Sequence, residues 1–285
     1  MFKNASQLLD EAPEACFRWH ALGFRWDSFQ PRFTVRDTES QDVKDLELQE
    51  WDWFVSEVRR CTGSWQDGLH IPCPHTAEVG RFSSCRDCDP FPVQECVFEP
   101  RCDGSSCKGA ICAQEHSVYI SFFGTSPKVG MTRSSRIRSR GIEQGADAII
   151  PVIHCRNRLE ARQAEKELSA AMAVRQAVTA KDFARSLTHK VPYEEITART
   201  ERMLRDNNLE DGGLTILDEY PIPVVERTPL PMPTPGRHRG KVMGFKGRFM
   251  LYRDQTGQPK LLDLSDTVSR FLGTAPCRSV QRTLF

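Results

Sequence analysis

Ser117-Val118-Tyr119-Ile120-Ser121-Phe122-Phe123, then Gly124 to Pro127, then Lys128-Val129-Gly130-Met131-Thr132, is the stretch that decides the fold. Val118, Ile120 and Phe122 alternate with Tyr119, Ser121 and Phe123, the period of two that sends successive side chains to opposite faces of a strand. Gly124 to Pro127 reads as a short turn and residues 128–132 as the hairpin partner. Beyond the hairpin, Ser134 is placed to cap a basic helix that Gly145 terminates. Ala148-Ile149-Ile150-Pro151-Val152-Ile153 is a third strand, and Pro151, which lacks an N–H, predicts an edge position for it. A long helix then runs from about Arg158 to Gln176, so the order is ββαβα.

In that helix, Ala161, Ala164, Leu168, Ala171 and Met172 fall in one apolar stripe, and Glu165 lies inside it, whereas Glu160 and Glu167 lie off it. A carboxylate turned toward a core needs a partner. The candidates are a metal ion or an arginine of the basic helix, with a buried Glu165 to Arg140 salt bridge as the purely structural alternative.

Upstream, eight of the chain's 11 cysteines crowd between Cys61 and Cys112. An odd total and an intracellular setting argue against a disulfide framework, so metal ligation is the expectation. Cys85-Arg-Asp-Cys88 has the two-residue gap that lets both thiolates reach one tetrahedral ion, and Cys61 and Cys73 supply the other half, with His75 in reserve. A second, looser group, Cys96, Cys102, Cys107 and Cys112 followed by His116, lies among turn-forming residues such as Pro100 and Gly109, with few apolar side chains to build a core. One or two structural Zn²⁺ ions are expected, the alternative for the second group being a partly ordered loop with free thiols.

At 285 residues, 39% apolar and 27% charged, the composition is that of a globular protein without an apolar run of membrane-spanning length. Met1 to Asp10 lacks the apolar segment of a secretory signal, which predicts the reducing cytoplasm. A net charge of +1 makes no case for phosphate binding by itself. Local charge does: Lys128, Arg133, Arg136, Arg138 and Arg140 face Glu143 alone before Gly145, and Arg227 to Arg253 contains seven basic residues, Lys246 and Arg248 among them, and no acid. These patches are candidate contacts to nucleic acid, against the plainer reading of solvated surface charge.

Taken together, Val118-Tyr119-Ile120, Lys128-Val129-Gly130, the arginine helix and Glu165 resemble the core of a GIY-YIG nuclease. More closely, Lys128 to Thr132 with Arg140-Gly141-Ile142-Glu143-Gln144-Gly145-Ala146, preceded by Cys61-Thr62-Gly63 and Pro72-Cys73-Pro74, resembles a family of uncharacterised bacterial and archaeal proteins with cysteine clusters ahead of such a core. The resemblance covers about residues 60–182. It implies that Tyr119 is the first motif's tyrosine, Gly130 the second motif's glycine, Arg140 the helix arginine and Glu165 the acid that holds Mg²⁺ or Mn²⁺. The implied chemistry is metal-assisted phosphodiester hydrolysis, with Arg140 neutralising phosphate charge and Tyr119 positioning or deprotonating water. Val129 is taken to stand where the second motif has its tyrosine, which keeps a non-catalytic, zinc-containing nucleic-acid-binding protein as the alternative to an endonuclease.

The whole chain is thus expected to be α+β. A β-rich N-terminal region (1–60) and a zinc-binding segment (61–116) precede a GIY-YIG-like module (117–190); a helical extension (191–220), a Pro-rich linker (221–240) and a small β-rich C-terminal unit (241–285) follow.

Overall fold

The computed structural model describes residues 17–89, 96, 98–105 and 111–273. β1 (Trp19–Asp27) and β2 (Gln30–Asp37) form a hairpin followed by β3 (Val43–Asp45) and β4 (Glu50–Val55), while β5 (Ser64–Gln66) and β6 (Leu69–Ile71) make a small separate pair. Then come β7 (His116–Phe123), β8 (Ser126–Arg133), α1 (Ile137–Gln144), β9 (Ala148–Cys155) and α2 (Arg158–Ala171), in the ββαβα order read from the sequence. α3 (Ala180–Ser186), α4 (Tyr193–Asn207) and β10 (Thr215–Ile216) extend this unit. β11 (Leu230–Pro231), β12 (Gly236–Lys246), β13 (Phe249–Arg253), β14 (Pro259–Asp263), α5 (Leu264–Thr267) and β15 (Phe271–Gly273) complete the chain. The architecture is mixed α+β, and no helix among the described residues is long and apolar enough to cross a membrane.

Two sheets organise it: β10-β9-β7-β8, and the nine-stranded β11-β14-β13-β12-β4-β15-β1-β2-β3. β7 is buried along its whole length. Its Val118, Ile120 and Phe122 pack with Ala161 and Leu168 of α2 and Ile196 and Leu204 of α4. Tyr119 and Phe123, on the opposite face, meet Ile142 of α1, Phe183 of α3 and Phe249 and Leu251 of β13. β13 alternates in the same way, sending Met250 and Tyr252 into a further core with Phe33, Trp51 and Leu272. A single core therefore joins the two sheets, and that core fixes the position of α1.

Several local expectations need correcting. Ser134 does not cap α1: residues 134–136 form a tight 3-10 turn, and the Ser134 hydroxyl meets that of Ser117 at 2.8 Å. Gly145 does end the helix, in the left-handed conformation at φ 78°. α2 starts on an Asn157 cap, whose side chain accepts from the Glu160 N–H, but stops at Ala171 because Ala173 turns left-handed. β9 lies inside its sheet, between β10 and β7, yet β10 pairs only with Ala148 and Ile149. At the level of Pro151 the strand is an edge after all, which tolerates the missing donor.

The expected division into separate terminal units also fails. β4 from the N-terminal part is flanked by β12 and β15 from the C-terminal part, so the two ends of the chain build one sheet. Residues 221–240 are no linker: Val225 is buried, Pro231 lies in the edge strand β11, and β12 begins at Gly236. A spacing of prolines is compatible with an edge strand as much as with a free chain. Residues 1–16 and 274–285 of those expected parts lie outside the described residues.

The cysteine-rich segment is pinned to this sheet at His20 of β1, which is 1% exposed, stacks on Phe271 and shares a 3.2 Å hydrogen bond through Nε2 with the Arg60 carbonyl. Burial first, then the nearby Arg36 charge, pushes its pKa down to about 4. The folded protein therefore binds fewer protons here than the unfolded chain, so the contribution is complete above pH ~6.5 and is lost as pH falls toward ~4. Between pH 7 and 5 this group removes about 2 kcal/mol of stability. Urea unfolding across that range should show the loss in the wild type and a flatter profile in His20→Phe; equal slopes would refute the assignment.

Candidate active site and metal centre

Cys61, Cys73, Cys85 and Cys88 come from three separate turns, and their sulfur atoms all lie within 4.8 Å of one another. The Cys73 and Cys85 sulfurs are 3.9 Å apart, against about 3.8 Å for the edge of a tetrahedron with Zn–S bonds of ~2.3 Å. Local backbone makes this possible. Gly63 takes φ 82°, where a Cβ would meet the Ile71 carbonyl oxygen at 2.1 Å. The N–H groups of Gly63 and Cys85 donate to the Cys61 sulfur at 3.3 and 3.1 Å, as suits a thiolate. Burial alone would raise the Cys73 thiol, but the N–H groups of Ala77 and His75 help bring it down to about 7. Little else than these cysteines with Ala77 and Val79 forms the interior of this lobe. The four residues fit Zn²⁺.

The looser cysteines do not repeat this arrangement. Among the described residues the first quartet is the one group of three or more potential ligands that converges, and Cys96, Cys102 and Cys112 do not join into a second. Cys107 lies outside the described residues. His75 and His116 are not needed as ligands; His116 is buried in β7 with Nδ1 at 2.8 Å from the Gln114 carbonyl.

The second feature is a largely buried polar cluster on the Tyr119 face of β7 and β8. Tyr119 pairs across the strands with Gly130, and a Cβ at position 130 would come within 2.5 Å of the Tyr119 hydroxyl. Glycine is what leaves room for the ring. The Tyr119 hydroxyl donates to Gln144 Oε1 at 3.1 Å, and Lys128 Nζ donates to the same oxygen at 2.7 Å. Gln144 ends α1 and Arg140 stands one turn earlier, on the same side of the helix. Burial holds the Tyr119 hydroxyl above its usual range, Arg140 pulling it down and Glu165 pushing it up. Burial, then Arg140, lowers Lys128 to about 8, with Glu165 opposing and Arg248 adding to the fall. Tyr119 and Gly130 pair across the strands and Arg140 acts on the Tyr119 hydroxyl, whereas Glu165 belongs to α2, which packs on the opposite face, that of Val118 and Ile120, and bears on Tyr119 and Lys128 only through its charge.

Two expectations for this region need correcting. Val129 has no part in it, being fully buried in the opposite core with Val118 and Ile120; strand alternation puts Lys128 and Gly130 beside Tyr119 instead. Among the described residues Glu165, 7% exposed, is paired neither with Arg140 nor with a residue of another element but with Arg162, three residues earlier on its own helix, at 2.6 Å. Arg162 also reaches Gln176 Oε1 at 3.1 Å and Glu99 at 3.3 Å. The i,i+3 spacing was the signal that could have identified it. Glu165 Oε1 has no hydrogen-bond partner among the described residues. A single free carboxylate oxygen is compatible with Mg²⁺ or Mn²⁺, which are held by one or two carboxylates, waters and substrate phosphate.

The basic patches are less bare than their sequence implies. Arg136 and Arg140 both pair with Glu143, Arg138 with Glu219 at 3.4 Å, and Arg248 with Asp263 at 3.1 Å. Arg133 donates to Gln114 Oε1 at 3.2 Å. Lys128 is buried beside Tyr119, 9% exposed. Lys246 is no surface contact: 5% exposed, it pairs with Asp147 at 2.5 Å and lies 5.6 Å from the centre of the Tyr220 ring. The arginines at 136, 138 and 140 keep about half of their side-chain surface open to solvent.

A family described as "Protein of unknown function (DUF2797)" matches residues 59–263, a span that holds both the cysteine quartet and the Tyr119 cluster. No curated protein and no solved structure matches the chain.

Proposed function

The chain belongs to the DUF2797 family, and from that premise we propose that it hydrolyses phosphodiester bonds of nucleic acid with the help of a divalent ion, on a core resembling the GIY-YIG nucleases and steadied by a structural zinc lobe. The observation that supports this reading is Tyr119 set against Gly130 across the strands, sharing the Gln144 oxygen with Lys128, while Arg140 and Glu165 both act on it through their charge. Arg140 binds the phosphate and offsets the charge that develops on it. Tyr119, its hydroxyl kept protonated by burial, orients the attacking water. Lys128 is the more available base of the two, since its pKa of about 8 leaves it partly neutral near pH 8, where the Tyr119 hydroxyl stays protonated, and so able to take the water's proton. Glu165 would hold Mg²⁺ or Mn²⁺ through its free oxygen, and the ion would supply Lewis-acid polarisation of the phosphate. The exposed arginines give the affinity for DNA or RNA its salt dependence, and unpaired thiols suit a reducing compartment such as the cytoplasm.

The test is Glu165→Gln, which keeps the side chain's shape and removes its charge. It should lower Mg²⁺-dependent cleavage of DNA or RNA by at least ~100-fold, with zinc content and nucleic-acid binding retained. The pH dependence is a second measurement. A base with a pKa of about 8 predicts a cleavage rate that rises with pH and levels off above it, and Lys128→Met should remove the rising limb along with most of the rate. The Arg162 pair on Glu165 favours the alternative, a zinc-containing protein that binds nucleic acid without cutting it. Wild type that cuts neither DNA nor RNA with either ion, and a Glu165→Gln variant that merely loses stability, would establish that alternative.

A further inference from the structure

α1 carries a second recess on a different face from Gln144. A cavity of about 280 Å³ opens between this helix and the β1–β2 turn, walled by Trp26 and Ser28 on the sheet side and by Ser135, Arg138, Ser139 and Glu143 on the helix side. We propose that it receives one unstacked base of a nucleic-acid strand whose phosphate lies in a cleft at the Tyr119–Arg140 cluster. This rests on the reading of that cluster as a phosphodiester site.

Size limits the ligand first. Sites for drug-sized molecules run to ~300–1,000 Å³, so this one suits a single planar heterocycle rather than a whole cofactor. The walls then select for a base. Trp26 is held as a fixed platform, with its Nε1–H donated to the Gly247 carbonyl at 2.7 Å and its ring edge-on to Tyr220 and Phe24 at 5.6 and 6.1 Å. It remains partly exposed, and an indole face in that state stacks bases with little regard to sequence. The Arg138 guanidinium lies 5.3 Å over the Phe29 ring, a second flat cationic surface.

Polar atoms complete the match. The hydroxyls of Ser28 and Ser135 have no hydrogen-bond partner among the described residues. Ser139 donates to the Arg136 carbonyl at 3.1 Å and keeps its lone pairs. With the Glu143 carboxylate, the cavity offers both donors and acceptors to the edge of a base, whereas a purely apolar guest would leave them unmet and a free anion would be repelled by Glu143. The link to the cleft is Glu143 itself, which pairs with Arg136 and with Arg140. A strand whose phosphate displaces Glu143 from Arg140 sets its neighbouring base beside the recess.

The experiment compares binding of a short labelled single strand with an all-abasic strand of equal length and charge, in the absence of divalent ions and at fixed salt. The full chain should bind the intact strand about tenfold more tightly. Trp26→Leu should reduce that preference to near unity while leaving affinity for the abasic strand unchanged. Because Trp26 also braces the sheet, the exposed pair Ser135→Ala with Ser139→Ala, combined with Arg138→Gln, serves as a second variant, and it should lose most of the preference with its thermal stability intact. Equal binding of the two strands by wild type, or a preference that survives in the second variant, overturns the base pocket and leaves the phosphate cleft standing. Failure of either strand to bind overturns both.

Discussion

Replacing Cys85 and Cys88 together by serine is expected to release one equivalent of zinc per chain and to unfold residues 59–89 while the two large sheets persist. The lobe has almost no apolar interior of its own beyond Ala77, Val79 and the cysteines, and the β5–β6 pair, three residues a strand, cannot stand alone. Structural zinc supplies about 10–16 kcal/mol of apparent binding free energy to such units at neutral pH, more than any side-chain contact in the lobe. The loss should spread to one neighbour, because Arg60 N–H bonds the Ser269 carbonyl and Arg270 bonds the Ser56 carbonyl at 3.0 Å, the links that seat β15. Elemental analysis and limited proteolysis together decide the matter. Protein that is purified free of zinc, yet resists cleavage across this lobe, would count against the metal centre.

Asp147→Ala should destabilise the protein by about 3–5 kcal/mol, the usual cost of stranding a buried charge. Asp147 accepts from Lys246 Nζ and from the Gly124 N–H at 2.7 Å, so its removal leaves a lysine only 5% exposed without a counter-charge. Lys246→Met is expected to be far milder, within about 1 kcal/mol of wild type, since the methionine stem still packs on Phe183 and Tyr220 and Asp147 keeps Gly124 and some solvent. Urea unfolding gives both values. If instead Lys246→Met weakens nucleic-acid binding and flattens its salt response without a change in stability, the lysine is an external contact and the burial argument is wrong.

These results separate what could be read along the chain from what could not. The β7 alternation, the cysteine quartet and the inward position of Glu165 are local patterns, set by residue spacing within one element, and each appears in the fold. The function of Lys246 depends on Asp147, ninety-nine residues away, and no charge count reveals such a pairing. Lys128 is legible in the sequence as a charge, but its place beside Tyr119 follows from the strand alternation that turns Val129 to the other side, which a charge count does not carry. The prolines of residues 221–235 look the same in a free chain and in an edge strand. Cys96, Cys102 and Cys112 show the converse limit: crowding in sequence without an anchoring two-residue gap did not bring them to one point.

The nine-stranded sheet has a consequence for how the protein is made. Val55 of β4 pairs with Gly236 and with Leu272, so at synthesis rates of ~5–20 residues per second the first four strands wait about 10–40 s for their neighbours. During that interval Phe33, Trp51 and Val55, all buried in the finished sheet, have no core to enter. The central ββαβα unit, whose contacts are mostly between consecutive elements, can close on the ribosome as soon as α4 has emerged. Assembly therefore runs from the middle of the chain outward, and β15, near the end of the described chain, is the strand that locks the first hairpin in place. A ribosome stalled before residue 236 leaves the N-terminal strands as an unpaired edge, the form of this protein most exposed to aggregation.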